Sequence, residues 1–291
     1  MQSLNLKAIV LILAALVIVL LLPAEQPSAS KNDPSQPSKP PSPQIEAKSA
    51  LAQDFLTGEI LFSKNSDAIL PLASITKIIT ILAVLDKLDL DEEVEISSKA
   101  VLTTEPSSLR VGEHIKVRDL ITMAIVESSN DATYALFERA YKKSGLPDFA
   151  EAWFLDLMRQ KAAALGAPNT VFNNFIGLDV SETLSGAYGS AADLLKITQA
   201  SLDSPIWQFG TVREIISKER IRHALKPTNQ LDSDLNLLVG AKTGFTDLAG
   251  GNLLVIVEHP IGNPIGIVVL GSSEKGRFED VKKILEWIKN Q

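Results

Sequence analysis

Ser74 and Lys77 stand three residues apart in the stretch LASITKIIT, residues 72–80. On a helix that spacing puts a hydroxyl and an amine on one face, close enough to interact. Ile75, Ile78, Ile79, Leu82 and Leu85 follow helical spacing around them, so the lysine falls within a run that should face a core. Burial disfavours an ammonium ion, which is how Lys77 would serve as a general base near neutral pH. A helix N-terminus would lower the pKa of Ser74 and offer amide N–H groups to a developing oxyanion. The same spacing recurs at Ser28 and Lys31 and at Ser272 and Lys275. An N-cap serine beside a surface lysine also produces it, so the motif alone leaves both readings open.

Two further clusters carry chemistry. In VESSNDA, Ser128 and Asn130 lie between two helical patterns, where a hydroxyl could pass a proton and an amide could hold a substrate carbonyl. The competing reading is a helix cap, with Asn130 or Asp131 opening the next helix. In GAKTGFTDLAGGNL, Lys242, Thr243 and Gly244 occupy a predicted strand. A strand edge aligns a substrate backbone, Lys242 can attract its carboxylate, and Gly244 permits close approach. The plain alternative is a strand leading into a glycine-bearing turn. No G-x-S-x-G is present, and His114, His223 and His259 form no metal-binding pattern.

The elements that must position these residues follow from periodicity. Residues 47–65 predict two short strands joined by a turn at Thr57 and Gly58. The Ser74 helix comes next, then helices over 117–127, 131–141, 148–165 and 191–202, the last with Ser190 and Asp193 as a capping pair. Strands over 237–244, 251–259 and 265–273 and an amphipathic helix over 279–290 close the chain. Strands from both ends around a helical middle predict an α/β (α+β) fold: an antiparallel sheet flanked by helices, with an inserted all-helical region.

The 291 residues carry a formal charge of −7, which argues against nucleic acid as the main partner. There is no cysteine, which removes disulfides and thiolate catalysis. Residues 8–22 are an unbroken apolar run behind Lys7, so residues 1–24 read as a signal peptide or an N-terminal membrane anchor. Either one exports the remainder. Residues 25–44, rich in Pro and Ser, read as a disordered linker, leaving 45–291 as the catalytic domain.

Taken in order, Ser-x-x-Lys, Ser-x-Asn and Lys-Thr-Gly are the set of penicillin-binding proteins and class A β-lactamases. From about Ala47 to Gln291 the sequence resembles the low-molecular-mass D-alanyl-D-alanine carboxypeptidases, through DFLTGEILFSKNSDAILPLASITKIIT, LRVGEHIKVRDLITMAIVESSNDA, KAAALGAPNTVFNNFIGLD, GSAADLLKI and AKTGFTDLAGGNL. The resemblance implies a β-lactamase/DD-peptidase-like fold. It also implies that Ser74 attacks the carbonyl between the last two D-alanines of a peptidoglycan stem peptide while Lys77 takes its proton. Ser128 would relay a proton to the leaving amine and Asn130 would position the substrate. Lys242 and Thr243 would hold the terminal carboxylate and backbone, and the N–H groups of Ser74 and Phe245 would form the oxyanion hole. Arg277, in EKGRFED, matches a family arginine that helps bind the carboxylate. No metal or organic cofactor is implied, and β-lactam antibiotics would be covalent inhibitors.

The chain departs from the family pattern at Ser129, where glycine is common, and at FIGLD, which replaces a usual Pro-His-Gly-Leu. It stops after its last helix, without the β-rich second domain of some members, so any membrane attachment is expected at the N-terminus. Three rivals share these residues. A β-lactamase would want an E-x-x-L-N glutamate, and none occurs between Asn130 and Lys242. A DD-endopeptidase would cut cross-links with the same groups. A catalytically silent wall-binding protein would have no need of Ser74, Lys77 and Lys242 together.

Overall fold

Two pieces of chain separated by more than 170 residues build one sheet. The computed structural model describes residues 41–102, 108–148, 150–231 and 238–291. The N-terminal apolar run and the linker up to residue 40 lie outside the described residues. Strands β1 (Ser49–Asp54) and β2 (Ile60–Lys64) come from the start of the folded part. Strands β3 (Leu238–Thr246), β4 (Gly250–Glu258) and β5 (Pro264–Ser272) come from its end. They pair antiparallel in the order β3-β4-β5-β1-β2, which leaves β3 at one edge.

Both faces of this sheet are covered, and the alternation along each strand shows how. Leu254, Ile256, Val268 and Leu270 point into a core shared with the helical region. Their neighbours Leu253, Val255, Val257, Ile267 and Val269 point the other way, onto the C-terminal helix. That helix, α6 (Gly276–Lys289), presents Phe278, Val281, Ile284 and Leu285 to the sheet at helical spacing. Strands buried on both sides read as continuous apolar runs, which is why LLVIV and IVVL carry no polar alternation.

Between β2 and β3 run helices α1 (Thr76–Leu85), α2 (Val117–Val126), α3 (Asn130–Ser144), α4 (Ala150–Ala164) and α5 (Ala191–Ala200). The cap of α5 is as the sequence predicts: Ser190 Oγ accepts from Asp193 N–H at 3.0 Å. The inserted region is not all-helical, however. It holds a three-stranded sheet from 70–71, 187–189 and 171–172, and hairpins pairing 93–95 with 114–116 and 214–216 with 222–224. Strands of two or three residues are too short to show a period-2 pattern, so the sequence gives them no signal.

Candidate active site

The edge of β3 faces the start of α1, and the three motifs meet there. A single 3-10 turn, Ala73–Ile75, runs directly into α1. It carries Ser74 half-buried at its centre, and Ala73 before it adopts φ of +48°. A non-glycine residue held in the left-handed region is strained, and such strain persists only where the surroundings fix it. Several contacts do so. Thr76 Oγ1 donates to Ala73 C=O at 2.7 Å, and Leu72 N–H donates to Ala187 C=O at 3.0 Å. Asn252, fully buried on β4, donates from Nδ2 to Pro71 C=O at 2.9 Å and accepts Gly271 N–H at 2.8 Å.

Lys77 is fully buried and its Nζ lies 2.7 Å from Ser74 Oγ. The surface-lysine reading of this motif is thereby set aside. The amine also donates to Ile176 C=O at 3.0 Å, so the FIGLD segment supplies a backbone acceptor where the sequence suggests only a departure from pattern.

At VESSNDA a helix cap forms, and the residue before it turns toward the Lys-Thr-Gly motif. Ser129 is the N-cap of α3, its Oγ accepting Ala132 N–H at 3.2 Å. Ser128, just before it, takes φ of +62° and turns its hydroxyl to Lys242 Nζ, 2.8 Å away. Asn130 opens the helix and is 2% exposed, yet neither its Oδ1 nor its Nδ2 has a hydrogen-bond partner among the described residues. A buried amide left unpaired costs free energy, and a ligand carbonyl and N–H would satisfy it.

On β3, Lys242 is 1% exposed and also donates to its neighbour's Thr243 C=O at 2.7 Å. Thr243 Oγ1 shares a 2.6 Å hydrogen bond with Thr228 Oγ1. Gly244 lies flat against the Ser74 turn: a Cβ there would stand 3.1 Å from Ser74 N and 3.0 Å from Leu72 O. Phe245 is exposed beside it. Arg277, in the first turn of α6, is 6% exposed and donates from Nη1 to Gly244 C=O at 2.7 Å. Burial lowers its pKa, opposed by the Glu274 carboxylate, and a guanidinium stays charged regardless. All nine residues singled out from sequence therefore converge on one location.

Residues 34–274 match the D-alanyl-D-alanine carboxypeptidase family, peptidase family S11. The chain belongs to this family. A D-alanyl-D-alanine endopeptidase of Pseudomonas aeruginosa is 31% identical over 287 residues, covering 95% of this chain and 88% of its own. The D-alanyl-D-alanine carboxypeptidase DacA of Escherichia coli is 32% identical, covering 84% of this chain and 61% of its own. Among solved structures, penicillin-binding protein D2 of Listeria monocytogenes in its cefotaxime-bound form aligns with a TM-score of 0.71 and 26% identity, covering 86% of this chain and all of that one.

Within this S11 peptidase the sequence reading misses five supports. Gly177, at φ +90°, packs so closely that a Cβ would lie 2.1 Å from Ala73 O. Its glycine was the only hint. Asn252, Thr228 and the Ile176 carbonyl act through contacts across the fold, and their residue types give no warning of them. Asp179 belongs with them: its carboxylate accepts Thr246 Oγ1 at 3.0 Å and Leu248 N–H at 3.2 Å, tying the segment after Gly177 to the end of β3.

Proposed function

We propose that this S11-family chain is a serine DD-peptidase acting on peptidoglycan stem peptides through an acyl-enzyme on Ser74. The observation that carries it is the pair of buried lysines, each set on a serine: Lys77 on Ser74 at 2.7 Å and Lys242 on Ser128 at 2.8 Å. Neutral Lys77 takes the Ser74 proton as Oγ bonds to the carbonyl carbon of the penultimate D-alanine. The oxygen, now negative, is met by the N–H groups of Ser74 and Phe245. The C–N bond then breaks, and a proton reaches the departing amine through Ser128. Water adds to the resulting ester, which releases the shortened peptide and restores Ser74. Asn130 holds the acyl half by its unpaired amide. Lys242, Thr243 and Gly244 align the leaving half along the strand edge.

With terminal D-alanine as the leaving group the activity is a carboxypeptidase, our first reading. A DD-endopeptidase cutting cross-links is a second reading, and one observation favours it. Beyond Thr243 the edge of β3 continues as a cleft lined by Val126, Arg213, Thr228, Asn229 and Gly240, giving a larger amine somewhere to lie. The chain would work on the outer side of the cytoplasmic membrane, tethered by residues 1–24 if these are retained. Among the described residues no helix is long and apolar enough to cross a membrane.

The test is a defined mixture of pentapeptide monomers and cross-linked dimers, followed by mass spectrometry with Ser74→Ala as control. Loss of one D-alanine from monomers establishes the carboxypeptidase, and conversion of dimers to monomers the endopeptidase. If neither occurs and a fluorescent penicillin fails to label the folded protein, the peptidase reading is wrong.

A further inference from the structure

The carbonyl of Gly244 and the N–H of Phe245 belong to one peptide group, and its two ends meet different partners. Along a strand, backbone groups of alternate residues turn to the same side. Lys242 Nζ, which reaches Ser128 in the site, also bonds Thr243 C=O, so residue 243 turns its backbone toward the site. Phe245, two residues on, turns its N–H the same way, beside the Ser74 amide that Gly244 packs against. The Gly244 carbonyl points oppositely, and there it receives Arg277 Nη1 at 2.7 Å.

Arg277 is built into this position. Its side chain is 6% exposed, its guanidinium lies 4.8 Å over the Phe278 ring, and its Nε has no hydrogen-bond partner among the described residues. Burying a guanidinium is costly unless its hydrogen bonds return something. Here the bond returns orientation. It fixes the plane of the Gly244–Phe245 peptide, and a charged donor on the oxygen polarises the group so that its N–H becomes a stronger donor.

We propose that Arg277 is a positioning residue for the oxyanion hole, holding and polarising the peptide whose N–H faces the reacting carbonyl. This rests on the serine peptidase reading. It differs from the carboxylate-binding role that family resemblance implies for Arg277, and the two roles are separable. A carboxylate ligand acts only on substrates that carry a carboxylate, mainly through KM. An oxyanion-positioning residue acts on any acyl donor, mainly through kcat.

The experiment uses the full chain in detergent and two thioester substrates with the same acyl-D-alanyl half. One has mercaptoacetate as its leaving group and the other mercaptoacetamide, so they differ only in a carboxylate. Arg277→Met and Arg277→Gln should lower kcat on both thioesters by the same factor, about 10- to 100-fold, below the loss from deleting an oxyanion donor outright. KM should stay within a factor of about two, since ground-state binding is not the interaction removed. Arg277→Lys should recover part of the loss on both. If only the carboxylate-bearing thioester suffers, and in KM, Arg277 is a carboxylate ligand and the proposal is overturned. It is overturned equally if neither substrate is affected. Should Met and Gln variants fail to fold by circular dichroism, the Lys variant decides by the same comparison. A folded wild type inert toward both thioesters would remove the peptidase reading and this role with it.

Discussion

Lys77 Nζ stands 2.7 Å from Ser74 Oγ with the lysine side chain wholly buried, so this amine is held on the Ser74 hydroxyl rather than in solvent. Ser74→Ala should abolish covalent labelling by a fluorescent penicillin. Lys77→Ala should slow labelling about 10²- to 10⁴-fold, the usual worth of a general base. Lys77→Arg should be no better than Ala, because a guanidinium cannot accept the proton. Unchanged labelling in Lys77→Ala would exclude Lys77 as the base.

Asn252 links the sheet to the Ser74 turn through Pro71 C=O and Gly271 N–H. Asn252→Leu leaves both part-buried backbone groups without this partner, at up to about 1–3 kcal/mol each. Asn252→Asp keeps the acceptor for Gly271 and loses the donor to Pro71. Urea denaturation should rank wild type above Asp above Leu, and penicillin acylation rates should follow the same order.

Gly177 sits where any side chain would strike Ala73 O at 2.1 Å, and its φ of +90° is itself unfavourable for other residues. Gly177→Ala should cost about 1–3 kcal/mol of stability. It should also displace the strained Ala73 turn, which stopped-flow acylation would register as a slower reaction of folded protein. An unimpaired rate would show that the turn is held without this packing.

Glu219 anchors the 214–224 hairpin. The backbone N–H of His114 is the largest cause holding its carboxyl at about 2, below the ordinary 4.5, with the His114 side chain adding to it. A depressed carboxyl contributes stability that is present above about pH 4.5 and is lost as pH falls through about 2. Glu219→Gln should therefore be less stable than wild type at pH 7, and the gap should shrink below about pH 4.5 and close near pH 2. Urea midpoints at pH 7, 4 and 3 would test this, and a gap independent of pH would contradict it.

What the sequence determined by itself is local. Ser74 and Lys77 are three residues apart, so a helix makes them neighbours whatever surrounds them. A period of 3.6 placed α1 to α6, short apolar runs bounded by turn residues placed β1 to β5, and the ordered motifs pointed to the family. Tertiary structure alone decided which groups meet across the chain. It brought Lys242 to Ser128 over 114 positions, the Ile176 carbonyl to Lys77 over 99, and Arg277 to Gly244 over 33. Such contacts depend on how helices seat against both faces and the edge of the sheet. That seating is fixed by close packing of the whole core, and no window of sequence contains it.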